Sequence, residues 1–385
     1  MYFADNYPWS LTVAMLFDEV ATFGEIDDAL APLKPLAGGD KAIANEAWYQ
    51  AMMKLAENLE RLGKEDRAEG HDLSAARKHH RAGLYYLRAE RFAAHGDPRG
   101  LLAYKRGVEH YRLARKLENA PVEFLDIPFR GSTFPAMFVK AKGEGKRPCV
   151  VFQQGFDSLK ELFYPVGGTQ FRDRGVSLLV IDQPGAGGAL RLNGLTALVE
   201  SEHAVGAAID YLETRPDIDA DRIGVMGISL GGYYAPRAAA FEKRIKACLC
   251  WGAIWDFGAR WEDMASDSKK FGSIPDMAKH AMWVFGQKDM DGVLAFGKQI
   301  RCEPFADKIT CDFFIVHGEN DRQVPLHQAE LLYNAAVNAK SRKMKVFKLS
   351  DGGAEHCQVN NRTLAADALA DYAAETLGGE VNGVQ

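Results

Sequence analysis

Two hydrophobic periodicities divide the chain. From about Ala42 to Leu117 apolar residues recur every three or four positions, the spacing that gives a helix one face to bury. Trp48, Met52, Leu55, Leu59 and Leu62 form one stripe, Leu73, Ala76, His80, Leu84 and Leu87 a second, and Leu101, Tyr104, Val108 and Tyr111 a third. Breaks at Gly63, Gly70 and Gly96-Asp97-Pro98 predict an antiparallel helical array. No sustained self-similarity makes it a tetratricopeptide repeat. His80 lies on an apolar stripe and reads as a core histidine.

After Ala120 the period changes to two and then to short continuous apolar runs, which is how strands buried on both faces read. The runs are 122–127, 134–139, 149–152, 176–181, 223–226, 247–251, 311–316 and 345–348, with helical stretches such as 202–212, 230–240 and 326–336 between them. The pattern predicts a doubly wound, mostly parallel α/β sheet, with residues 1–119 as an N-terminal helical cap region and 120–385 as the catalytic domain. An insertion at 252–309, after the sixth core strand, carries Trp255, Trp261 and Trp283 and reads as a lid. Pro236, early in a predicted helix, should bend or open it.

Composition narrows the class. With 47% hydrophobic and 26% charged residues the chain has a globular balance. A net charge of -5 leaves no basic field for a phosphate backbone or an acidic membrane, so neither a nucleic-acid nor a membrane partner is expected. The run from Trp9 to Phe17 is short, has no basic residue before it and runs into Asp18-Glu19, unlike a secretory signal. No run approaches the roughly 20 apolar residues of a spanning helix. The six cysteines show no C-x-x-C pair, and four fall within predicted strands, which fits a reducing, cytoplasmic setting. No His, Cys, Asp or Glu cluster has metal-ligand spacing, so neither metal nor cofactor is implied.

The chemistry concentrates at the predicted strand ends. Gly227-Ile-Ser229-Leu-Gly231 is Gly-x-Ser-x-Gly placed after a strand and before a helix, the turn that lifts a serine hydroxyl clear of the backbone. A hydroxyl needs a base, and the base needs an orienting group. Asp321, beyond the strand 311–316, is the expected orienter, with Glu319 as the competing carboxylate; His356 follows the last strand and is the expected base, His327 falling in a helix. The order Ser, Asp, His is that of the α/β-hydrolase fold. Backbone amides of Leu230 and of Phe156, in the loop Gln153-Gln-Gly-Phe-Asp-Ser158, are the expected oxyanion donors. The glycine-rich Asp182-Gln-Pro-Gly185-Ala-Gly-Gly188 lacks phosphate-loop spacing and reads as a strand-exit turn.

Gly155-Phe-Asp-Ser158-Leu-Lys-Glu161, Asp182-Gln-Pro-Gly185, Gly227-Ile-Ser-Leu-Gly-Gly232 and His317-Gly-Glu-Asn-Asp321, preceded by helices, together resemble one α/β-hydrolase family. It contains the fermentation-respiration switch protein, 2,6-dihydroxypseudooxynicotine hydrolase and a fungal polyketide-shortening hydrolase. The resemblance implies a homodimer that cleaves a carbon-carbon bond beside a ketone in a small-molecule carbonyl substrate. It also implies a carboxylate after the sixth core strand, which Glu262 matches; Trp261 and Gln154 accompany it as substrate-contacting candidates. Gln154 departs from the family's usual glycine at this point of the oxyanion loop. A carboxylesterase, lactonase or amidase would use the same triad, and a regulatory binding protein with vestigial activity is the alternative of another class.

Overall fold

The computed structural model describes residues 2–259 and 276–384. The chain forms two compact units, one of residues 1–122 with 272–280 and one of 123–271 with 281–385.

The first unit is helical: α1 (Tyr7–Glu19), α2 (Phe23–Leu30), α3 (Lys41–Ala68), α4 (Asp72–Glu90) and α5 (Pro98–Leu117). Helix starts follow local chemistry, since the side chains of Asn6, Asp40 and Asp97 accept hydrogen bonds from first-turn amides of α1, α3 and α5. Helical structure thus begins at Tyr7, well before the predicted Ala42. Trp9, Trp48, Met52, Tyr85 and Phe92 make its core, with Trp48 4.7 Å from Phe92 and 5.1 Å from Trp9 between ring centroids. The predicted break at Gly63 is not one: α3 runs through it, and a Cβ there would meet the His79 ring at 3.0 Å. That glycine marks a close approach between helices rather than a turn. Two stripe residues face solvent, Leu73 being 66% and Leu101 41% exposed. His80 is buried edge-on to Tyr111, but its Nε2 has no hydrogen-bond partner.

The second unit is an eight-stranded sheet: β1 (Val122–Phe129), β2 (Ser132–Val139), β3 (Arg147–Gln153), β4 (Ser177–Ile181), β5 (Ile218–Ile228), β6 (Ile245–Trp251), β7 (Asp312–Gly318) and β8 (Ser341–Phe347). The order is β1-β2-β4-β3-β5-β6-β7-β8; β2 runs antiparallel to β4, and the strands from β4 to β8 pair in parallel. Phe152 of β3 registers with Val180 on one side and Met226 on the other, and β3, β4 and β6 are almost wholly buried. Continuous apolar runs are therefore central strands. The edge strand β8 is mostly exposed; it begins at Ser341 and ends at Phe347, displaced from the predicted 345–348 because its polar outer face hides its start. Likewise β7 runs past the predicted Val316 and takes in His317 and Gly318.

Helices α6 (Gly187–Asn193), α7 (Glu202–Glu213), α8 (Gly231–Phe241), α9 (Met277–Phe285), α10 (Met290–Gly297), α11 (Leu326–Ala335) and α12 (Arg362–Leu377) are the longer of the remaining described helices. Pro236 sits inside α8 and removes the amide that would bond Gly232 O; the Ile254 amide donates to that carbonyl instead, at 3.3 Å. The proline thus frees an acceptor that ties the exit of β6 to α8. Within the insertion, Phe257, Phe285 and Phe296 cluster, with Phe285 and Phe296 stacked at 4.7 Å. Trp261 and Glu262 lie outside the described residues. No helix among the described residues is long and apolar enough to cross a membrane.

Candidate active site

The turn between β5 and α8 places Ser229 at φ +56°, a left-handed conformation that a non-glycine residue adopts at a cost. Its neighbours explain why the turn forms. A Cβ at Gly227 would lie 2.0 Å from Gly231 O, and one at Gly231 would lie 2.7 Å from Gln153 O, so only glycine fits on either side of the serine. The Ser229 amide donates to Trp251 O at 2.9 Å, which anchors the turn to the end of β6. The residue itself remains partly exposed.

His356 Nε2 stands 2.8 Å from Ser229 Oγ, and His356 Nδ1 stands 2.7 Å from Asp321 Oδ2. A carboxylate accepts, so Nδ1 carries the proton and Nε2 faces the hydroxyl as the acceptor. Asp321 Oδ1 accepts from the Gln323 and Val324 amides, each at 2.8 Å. Burial alone would raise the Asp321 pKa, but the charge and hydrogen bond of His356 with those of its other partners hold it below the ordinary carboxylate range. For His356 burial opposes the imidazolium, and the Asp321 carboxylate overrides it, so its pKa stands well above the usual imidazole value. Glu319, the competing carboxylate, is exposed and accepts from the Leu349 amide at 3.1 Å, away from His356.

The loop after β3 lies against the serine. A Cβ at Gly155 would meet Ser229 Cβ and Ile228 O at 3.0 Å, so this glycine lets Phe156 follow directly beside the hydroxyl. The loop is held from three sides. Gln183 clasps Gln154, accepting from its amide at 3.0 Å and donating to its carbonyl at 3.1 Å. Asp157 pairs with Arg191 at 2.5 Å, and the Phe156 ring packs 5.4 Å from Phe285. The Gln154 side chain is fully buried with neither amide atom hydrogen-bonded. Leu230 is buried at the head of α8.

Sequence reading missed much of this support. Asp182, in the segment read as an exit turn, accepts from the Lys160 ammonium at 2.9 Å and the Gly188 amide at 2.8 Å, fully buried. The signal was present in an acid directly after a strand with a lysine in the preceding loop, but neither spacing nor period reveals such a pairing. Cys357, 3.4 Å from His356 Nε2, was likewise invisible. Among the described residues no group of three or more His, Cys, Asp or Glu could hold a metal ion.

A family model described as "Esterase FrsA-like" matches residues 42–293. The chain belongs to the FrsA-like esterase family. Its relatives include the 2,6-dihydropseudooxynicotine hydrolase of Paenarthrobacter nicotinovorans, 28% identical over 92% of each chain. The 20-hydroxy-prefusarin hydrolase of Gibberella moniliformis is 30% identical over 76% of this chain and 77% of its own. The crystal structure of 2,6-dihydroxy-pseudo-oxynicotine hydrolase superposes with a TM-score of 0.78 at 26% identity, covering 95% of both chains. The FrsA-like esterase-family fold is that of an α/β-hydrolase, and the protein is a hydrolase.

Proposed function

We propose that Ser229, His356 and Asp321 form a catalytic triad that cleaves a carbon-carbon bond beside a ketone in a 1,3-diketone or polyketide-like aromatic substrate. The observation that carries the reading is the continuous contact from Asp321 through His356 to Ser229, 2.7 and 2.8 Å. Ser229 Oγ attacks the carbonyl carbon while His356 Nε2 takes its proton, and Asp321 stabilises the imidazolium. The oxyanion is held by the Phe156 and Leu230 amides, a reading supported by the contact of Gly155 with Ser229. Collapse of the tetrahedral adduct breaks the carbon-carbon bond; the electron pair leaves as an enolate spread over the neighbouring ketone and is protonated. Water, deprotonated by His356, then releases the acid and restores Ser229. Gln154 contacts a polar group of the substrate, and Glu262, next to Trp261 in the chain, supplies the proton to the enolate and is reprotonated from the His356 imidazolium, which leaves His356 neutral before the water step.

The names of the two hydrolase relatives above support a ketonic substrate, and the family description favours ester cleavage as a second reading. Six free thiols support a cytoplasmic setting, and the family resemblance supports a homodimer. The test is a panel of 1,3-diketones and aryl esters with product identification. Ser229→Ala should lower turnover by about 10³-fold or more in a folded protein. Glu262→Gln should depress diketone cleavage by about 10²-fold while sparing an activated ester, whose leaving group needs no proton. Equal losses on both substrates would remove Glu262 from the proton transfer, and faster turnover of esters than of any diketone would establish the second reading.

A further inference from the structure

His317 is a fully buried histidine one residue from the end of β7, and the steps proposed above do not use it. Its Nδ1 accepts from the Ala253 amide at 3.3 Å, which leaves the ring proton on Nε2. Nε2 stands 2.8 Å from Val324 O and 3.6 Å from Asp321 Oδ2. Val324 also donates its amide to Asp321 Oδ1, so the residue whose amide holds the carboxylate is itself held by His317 through its carbonyl. On the other side, Ala253 follows Gly252, whose amide donates to Val316 O at 2.8 Å, and Trp251, whose carbonyl anchors the Ser229 amide. One imidazole therefore links the turn that presents Asp321 to the strand end that anchors Ser229.

We infer that His317 is a positioning residue of this hydrolase: neutral and fixed in its Nε2–H tautomer, it locks the 321–324 turn so that Asp321 Oδ2 is aimed at His356. The inference rests on the triad reading above. Charged groups that act on it are Asp321, His356 and Glu330. Burial dominates over the pull of Asp321 and holds the His317 pKa below the ordinary imidazole range. Its neutrality matters, because a second cation beside Asp321 would compete with the His356 imidazolium for the same carboxylate.

The test is the rate at which a fluorophosphonate probe labels the full-length protein as a function of pH, since labelling reports activation of Ser229 without requiring the natural substrate. In His317→Gln the side-chain amide N–H stands close to where Nε2–H stood, and the rate should remain within about threefold of wild type. His317→Asn and His317→Met keep no donor at that point. Both should label about 10²-fold more slowly, the scale of a misplaced catalytic group, and their acid limb should move to lower pH as His356 loses the support of Asp321. In an Asp321→Asn background, His317→Asn should add less than about threefold. Thermal melts establish that each variant is folded, and Met serves if Asn does not fold. A folded Asn or Met variant with the wild-type rate and acid limb overturns the inference, as does a full loss retained in the Asp321→Asn background. Labelling that persists in Ser229→Ala would instead overturn the triad reading itself, and this inference with it.

Discussion

At Ser229 a backbone conformation costing about 1–3 kcal/mol is accepted because it lifts the hydroxyl out of the sheet's end toward His356. The same residue-scale logic separates the two carboxylates of the β7 turn. Asp321 is buried with three donors on its two oxygens, whereas Glu319 is exposed and bonded to a remote amide. Asp321→Asn should therefore cut kcat by about 10³-fold or more, because an amide neither stabilises the imidazolium nor holds the tautomer, while Glu319→Gln should remain within about threefold. Steady-state kinetics on the purified variants decide the ranking. In the proposed triad His356 must be neutral to accept the serine proton, and Asp321 raises its pKa, so activity should fall on the acid side of a midpoint above about 6.5, the ordinary imidazole value. Asp321→Asn should move that midpoint downward, and a kcat/KM profile that stays flat across the range would contradict it.

At the scale of elements, close approaches between backbones carry the architecture, and glycine is where they can be tested. Gly155 lets the β3 exit loop lie on the β5–α8 turn. Gly155→Ala should place a methyl against Ser229 and lower kcat by about 10²-fold, with global stability reduced by only about 1–3 kcal/mol. A kinetic and denaturant comparison separates the two effects. Gly63 is the counterpart in the helical unit. Helix propensity alone favours Gly63→Ala by about 1 kcal/mol, yet the new methyl would press on His79, so a net loss of stability in urea unfolding is expected. A net gain would mean that the His79 ring yields. The aromatic contacts of Phe156 with Phe257 and Phe285 tie the loop after β3 to the insertion.

At the scale of the whole molecule, the helical unit carries a buried pH sensitivity of its own. His110 Nε2 lies 3.0 Å from Glu60, His110 Nδ1 lies 3.1 Å from His79 Nδ1, and burial lowers the His79 pKa to about 4. Because the unfolded chain binds that proton more readily than the folded one, the contribution is intact above about pH 6.5 and is lost as pH falls toward 4. The melting temperature should fall over that window, and His79→Leu should flatten the slope; an unchanged slope would place the acid sensitivity elsewhere. Much of this protein was legible before any coordinates. Continuous apolar runs read as central strands, Gly-x-Ser-x-Gly after a strand is forced into a tight turn, and Ser229, Asp321 and His356, each made a candidate by its placement at a strand end, come into contact in the fold. These features are local, because period and turn chemistry act over a few residues. What only the tertiary structure decided are meetings between residues far apart in the chain. Gly63 reads as a break until His79 is set against it, Pro236 has no purpose until Ile254 reaches Gly232 O, and His317 is an ordinary strand residue until Ala253 and Val324 close on its two nitrogens. Hydrogen bonding and packing at such points depend on which strands become neighbours, and no window of sequence contains that information.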